Sequence, residues 1–410
     1  MAGMVPVKPL LAALSVTALL AGCGGESTRT EQETTAASAT PAAPQEQGSR
    51  TPRLALSYDG GVLVLDAKKL EQVADIPVDG YLRLNSAQDG RHVLVSQSDG
   101  FTVLDMGTWA EAHGDHRHYY TAEPQLTDIR FGGEKPGHVV AHDGLLTFFS
   151  DGTGQVDVVD PRDLSTGAVQ RRVNTTAHHG VAVARADGTV VVSVGDDESR
   201  SGVEILDNAG NAVASNDQCP GLHGEAAAAD GVLTFGCENG ILIVRGNNIE
   251  KVASPDPYGR IGNQAGSDES PVVLGDYKVD PDAELERPER FTLTDTATGE
   301  ISIVPIHSTY SFRSLGRGPA GEAVLLGADG ALHVFDPATG AETAHYPVIE
   351  AWTEPEDWQD PMPTLHILGS TAYISSPAER RLLAVDLANG AVTAETTLDK
   401  ETSELTGVTG

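Results

Sequence analysis

The chain has 410 residues, with 59 acidic against 27 basic side chains and a formal charge of −32 when histidine is neutral. Such a surface repels phosphate backbones and anionic lipid headgroups, which excludes nucleic acid as a partner class. Its ordinary meaning is solubility, and it also raises the local concentration of cations.

In chain order, the first element is a targeting segment. The stretch "MAGMVPVKPLLAALSVTALLAGCGG" carries one basic residue, Lys8, then an apolar run from Leu10 to Ala21, then small residues. Residues 1–22 therefore read as an export signal, too short and too promptly ended to span a membrane as a helix. The tetrad Leu20-Ala21-Gly22-Cys23 resembles a bacterial lipobox, which predicts cleavage before Cys23 and acylation of its thiol and new amine; the alternative is an ordinary secreted protein. Residues 23–50 continue as "CGGESTRTEQETTAASATPAAPQEQGSR", rich in Ser, Thr, Ala, Pro and Glu and without an apolar cluster. That composition predicts a disordered tether holding an exported domain, residues 51–410, on the outer face of the cell membrane.

The exported domain is long enough to bury a large core. It is punctuated by turn dipeptides at "YDGG", "QDGR", "HDGL", "SDGT", "ADGT", "ADGV", "ENGI" and "ANGA", set between short runs rich in Val, Leu and Thr. Capped helical patterns are almost absent, so the domain reads as all-β. An apolar strand such as "VLVSQS", "LLTFFS", "TVVVSV" or "TAYISS" recurs, followed by one ending in Asp such as "GVLVLD", "GVEILD" or "RLLAVD". Four strands in units of about 40–50 residues match the blades of a β-propeller. Innermost strands are predicted to start near Tyr81, His138, His179, His223, Ile261, Phe312 and His366. The first unit, from Arg53, lacks its innermost strand, and the tail "TSELTGVTG" looks like one without a blade. Joining the two closes the ring and hides its edges. The count is eight blades, with seven as the alternative because the unit from Ile261 to Pro305 is irregular.

In that frame, "PGHVVAH", "HHGVAV", "LHGEAA" and "TLHILG" place His138, His179, His223 and His366 at the same end of strands around one axial channel. Convergent neutral imidazoles suit Zn²⁺, with Zn–N distances of about 2.0–2.1 Å, although such sites also take Cu²⁺ and Ni²⁺. His142 and His178 are adjacent candidates, and a register slip of one residue exchanges His178 for His179. Glu225, two residues beyond His223, is a candidate ligand, hydrogen-bonding partner or general base. Cys219 and Cys237 flank a predicted hairpin turning at "ADG", and in an oxidising compartment they predict a disulfide rather than a metal site. A second histidine group lies in "AHGDHRHYY": His113, Asp115, His116 and His118, expected at an exposed loop leading to an outer strand, suit a second, more exchangeable metal site.

"HGDHRHYY", "KPGHVVAHDG", "AHHGVAV" and "CPGLHGEAAAADGVLTFGC" resemble stretches of the AztD family of extracytoplasmic zinc metallochaperones, and the resemblance covers nearly the whole exported domain. It implies a propeller that binds zinc and hands it to the metal-binding receptor of a zinc-importing ABC transporter. The family's mature N-terminus is rich in His and Asp; the tether here contains no histidine, which shifts attention to His113 through His118. Two other function classes stay open: a hydrolase using zinc-bound water beside Glu225, and a metal-free interaction scaffold. Nothing resembles a nucleophile elbow, a phosphate-binding glycine loop or a haem-attachment motif.

Overall fold

The computed structural model describes residues 43–410. The export signal expected over 1–22, the acylation site Cys23 and the tether as far as residue 42 lie outside the described residues.

The described residues hold eight antiparallel sheets of one pattern, each a run of four consecutive short strands or its close variant. The innermost strands are Arg83–Ser86, Pro136–His142, Ala182–Ala184, His223–Ala228, Gln264–Ala265, Leu315–Arg317, Thr364–Leu368 and Thr402–Val408. The irregular unit from Ile261 is a complete sheet whose innermost strand is only two residues long, Gln264–Ala265. The fold is an all-β propeller. Its closure is as the two chain ends predict: Thr402–Val408 pairs antiparallel with Arg53–Tyr58, with Leu56 opposite Leu405.

Burial follows the position of each strand in its sheet. Gly61–Asp66, a third strand, is sandwiched between neighbouring sheets and is buried at five successive positions, so both faces are apolar. Gln72–Pro77, the fourth, meets solvent and alternates between exposed and half-buried positions. The core is a ring of separate layers, each shared by two consecutive sheets. Val181, Val203 and Ile205 pack on Phe235, Leu242 and Val244, and the last layer joins Leu54, Leu56 and Leu63 to Tyr373, Leu382 and Ala384.

Two expectations are corrected. "AHGDHRHYY" is not a loop but a hairpin, Thr108–His113 and His116–Thr121, inserted between the strands Gly100–Asp105 and Gln125–Phe131 of one sheet. Its turn is the two-residue Gly114-Asp115, with Gly114 at φ +63°, the left-handed first position that a hairpin of this length asks of glycine. The end of the expected tether is also ordered: Gln45–Gln47 pairs with His116–Thr121 and makes a three-stranded sheet. The open edge of the hairpin supplies unpaired backbone groups for this strand, and Gln47 Nε2 donates to Thr121 Oγ1 at 2.9 Å. The hairpin's base is held by Arg53, whose guanidinium donates to the carbonyls of Met106 and Ala122, and by Arg91, which lies 4.2 Å above the Trp109 ring.

Cys219 and Cys237 are disulfide-bonded, with Cα atoms 4.9 Å apart and a sequence separation of 18. Both are buried in the layer that contains Phe235 and Leu222, the residue before His223. Replacing both cysteines by serine should cost about 3 kcal/mol by loop-entropy reasoning. Urea unfolding of the two proteins measures this, and equal midpoints would remove the stabilising role.

Candidate metal centre

Three consecutive sheets deliver one imidazole each to the channel. His138 is the third residue of Pro136–His142, His179 immediately precedes Gly180 at the approach to Ala182–Ala184, and His223 opens His223–Ala228. Their ring centroids form a near-equilateral triangle with sides of 5.3, 5.7 and 5.2 Å, and one ligand atom from each lies within 4.8 Å of the other two. In every case Nδ1 faces an oxygen. His223 Nδ1 donates to the Gly262 carbonyl at 3.0 Å, His179 Nδ1 is 2.6 Å from Asp151 Oδ2, and His138 Nδ1 is 3.5 Å from Glu225 Oε2. Protons held on Nδ1 of His179 and His223 leave their Nε2 lone pairs for a metal and fix the rotation of those two rings, while His138 has only the longer approach of Glu225.

The Gly224 between His223 and Glu225 is a backbone requirement. It has φ +73°, and a Cβ there would stand 2.2 Å from the Gly262 oxygen. The strand bulges at this point: His223 opposes Gly236 while Glu225 opposes Phe235. The bulge presents His223 to its neighbours and lets Glu225 face His138 across the channel. Burial pushes the His223 imidazole down to about 3, and the nearby imidazoles of His138 and His179 add to the effect against the Gly262 hydrogen bond. This ring is therefore neutral and ligand-competent well below physiological pH.

His366 stays outside the group. Thr364, not His366, is the counterpart of His223 in its sheet, because Thr364 pairs with Ser375 at the fifth position of Thr371–Ser376, as His223 pairs with Gly236 at the fifth position of Val232–Cys237. Two residues of offset carry the side chain roughly 6–7 Å further along the channel. There His366 and His142, which ends its strand opposite Leu145, line an axial cavity of about 1070 Å³ together with Glu225, Asp143 and Asp268. His178 turns away from the channel into its sheet: its two ring nitrogens are satisfied by the Thr176 carbonyl and Ser193 Oγ, both at 2.8 Å, and its ring packs on Phe149. Two partners escaped the sequence. Asp151 sits in "SDGT", indistinguishable by pattern from the other Asp-Gly turns, and the Gly262 carbonyl belongs to the irregular unit.

The hairpin assembles its own group. His113 and His116 are cross-strand partners and His118 lies two residues beyond on the same face, so all three rings converge. His118 Nε2 is 3.2 Å from His113 Nδ1 and 3.1 Å from His116 Nε2. A tetrahedral zinc with bonds of about 2.0–2.1 Å has ligand–ligand edges of roughly 3.3–3.4 Å, so these nitrogens have the spacing of ligands around one ion. Glu46, from the strand Gln45–Gln47, holds His118 Nδ1 at 2.6 Å. Asp115 at the turn is 3.3 Å from His116 Nδ1 and fully exposed.

Fold and sites together are those of a β-propeller carrying histidine clusters suited to a divalent metal. No family model matches the chain. It is 25% identical over 367 residues to the zinc chaperone AztD of Citrobacter koseri, covering 85% of this chain and 84% of that protein. Among solved structures, Citrobacter koseri AztD superposes with a TM-score of 0.77 at 23% identity, covering 88% of this chain and 99% of that one. The apo form of the same protein gives 0.76. Dihydro-heme d1 dehydrogenase NirN in complex with DHE shares the fold more distantly, at 0.59 and 14% identity over 90% of this chain and 77% of its own. The resemblance to AztD thus runs along most of both sequences and extends to the fold.

Burial pushes His366 down to about 4, and its Nε2 is buried without a hydrogen-bond partner. Unfolded, the same imidazole titrates near 6.5, so on acidification the unfolded chain binds this proton first. The contribution of neutral His366 to stability is complete above about pH 6.5 and is lost as the pH falls towards 4. Urea midpoints of the metal-free protein should therefore decline across that window, and less steeply in His366→Leu; an identical decline in both proteins would exclude His366 as a source.

Proposed function

We propose that the protein is an extracytoplasmic zinc metallochaperone, anchored through acylated Cys23, that delivers zinc to the zinc-binding receptor of an ABC importer. The observation that carries this reading is the channel triangle of His138, His179 and His223, each with its Nδ1 turned to an oxygen and its Nε2 left to ligate, in a chain that resembles a zinc chaperone along most of its length. Zinc is cargo here, not a resident cofactor.

The two histidine groups divide the work. The channel group is held by three sheets and by its Nδ1 partners, so its ligands are preorganised and it retains metal tightly. The hairpin group is exposed: the side chain of His116 is 58% accessible and that of Asp115 is completely so. Its ligands can be replaced one at a time by those of an incoming receptor. A zinc-dependent hydrolase would use the same triangle with Glu225 as base. Glu225 instead faces His138 Nδ1, where it serves orientation, and no catalytic step is assigned to it.

His223→Ala should weaken zinc binding at the channel by more than 100-fold, and Asp151→Asn by about 10–100-fold, as loss of a ligand's hydrogen-bonding partner does. Competition with a chromophoric chelator reads both. Parental affinity in His223→Ala would refute the channel assignment.

Changing His113, His116 and His118 together to Ala should remove one zinc equivalent and slow transfer to the receptor while the channel stays filled. Unchanged stoichiometry and transfer rate in this variant would make the cluster a histidine-rich surface hairpin and nothing more.

A further inference from the structure

A third constellation lies on a sheet that contributes to neither group described above. Its strands are Leu315–Arg317, Ala323–Leu326, Ala331–Phe335 and Glu342–Pro347. His333 and His345 are directly opposed on the last two, their rings stacked with centroids 4.6 Å apart. Asp329, in the turn entering Ala331–Phe335, reaches over both: Oδ1 is 3.2 Å from His333 Nε2 and Oδ2 is 3.6 Å from His345 Nε2. Glu342 Oε1 lies 2.8 Å from His333 Nδ1.

His333 is buried, with 4% of its surface accessible, and both its ring nitrogens face carboxylate oxygens. A neutral imidazole has one N–H and one lone pair, so it can satisfy only one of them; the other contact sets a lone pair against a carboxylate. A cation between Nε2, His345 and Asp329 would relieve that contact. Geometry fits the cation. The two approaches of 3.2 and 3.6 Å bracket the roughly 3.3–3.4 Å edge of a tetrahedral zinc site, and one atom from each of the three residues lies within 4.8 Å of the other two. With Nδ1–H donated to Glu342, His333 presents Nε2, the carboxylate–histidine–metal arrangement that fixes a ligand's tautomer and raises its basicity.

We propose that Asp329, His333 and His345 form a third metal site, for a divalent ion of the zinc class, with Glu342 positioning His333. Two imidazoles and one carboxylate are too nitrogen-rich for Mg²⁺ or Ca²⁺ and suit Zn²⁺. Three protein ligands leave a fourth position to water, and half-exposed His345 makes that position accessible from solvent.

The test uses the full chain and Zn²⁺ alone. In a variant carrying His223→Ala and the triple alanine change at His113, His116 and His118, a chelator-competition titration should still find one zinc equivalent. Adding His345→Ala, an exposed position that the fold tolerates, should abolish it, and Asp329→Asn should weaken it by at least 10-fold. Co²⁺ bound to the same background should show the intense visible bands of a tetrahedral N₂O site, lost with His345→Ala. No zinc in the background variant, or zinc that survives both added substitutions, would overturn the proposal. Because the other groups are removed beforehand, this result is independent of whether the channel and hairpin assignments hold.

Discussion

The pairing of Thr402–Val408 with Arg53–Tyr58 is the constraint on which the rest depends. A run of twisted sheets has two open edges and no fixed centre. When the last strand becomes the innermost strand of the first sheet, both edges vanish and the inner strands are forced to face one axis. Only then do residues separated by dozens of positions meet. Leu405 and Leu56 seal the joint inside the layer with Tyr373 and Leu382, so the closure is apolar burial as well as hydrogen bonding.

Within that ring, ligand geometry is set by backbone as much as by side chains. The Gly224 bulge leaves no room for a Cβ beside the Gly262 carbonyl, and the same carbonyl accepts the proton of His223 Nδ1. The Asp151 carboxylate serves His179 and also accepts from the Gly180 N–H at 3.2 Å, tying the ring to the strand that follows it. The disulfide is buried in the same layer as Leu222, which precedes His223. A site built this way keeps its shape because its supports belong to the core of three sheets.

The hairpin works by the opposite principle. It stands apart from the blades, is fastened at its base by Arg53 and the Arg91–Trp109 stack, and carries its histidines near an exposed tip. Glu46 reaches it from the segment preceding the propeller, so residues expected to act only as a spacer supply a partner to His118. The channel group is braced by the propeller's sheets, with the His179 side chain 44% accessible, whereas the hairpin group stands at a tip where His116 is 58% accessible.

Local chemistry accounts for what was legible in the sequence. Asp-Gly turns and runs of alternating or wholly apolar strands are short-range signals, so the all-β class, the repeating units, the closure and the Cys219–Cys237 pair could be read from residues alone. The histidines His138, His179 and His223 were legible because they begin repeats. His366 was misplaced because strand starts do not reveal pairing register, and two residues of slip change depth in the channel. The hairpin's pairing with Gln45–Gln47 is hidden in the sequence because it joins segments about seventy positions apart, neither of them apolar. Asp151, Gly262, Glu342 and Asp329 carried no signal: one is a carbonyl, the others ordinary surface-type acids. Sequence by itself determined the repeating strands of the propeller and the residue types able to ligate; tertiary structure alone decided the hairpin, its added strand and which histidines converge, because those depend on register, bulges and ring closure, none of which is written within a single strand.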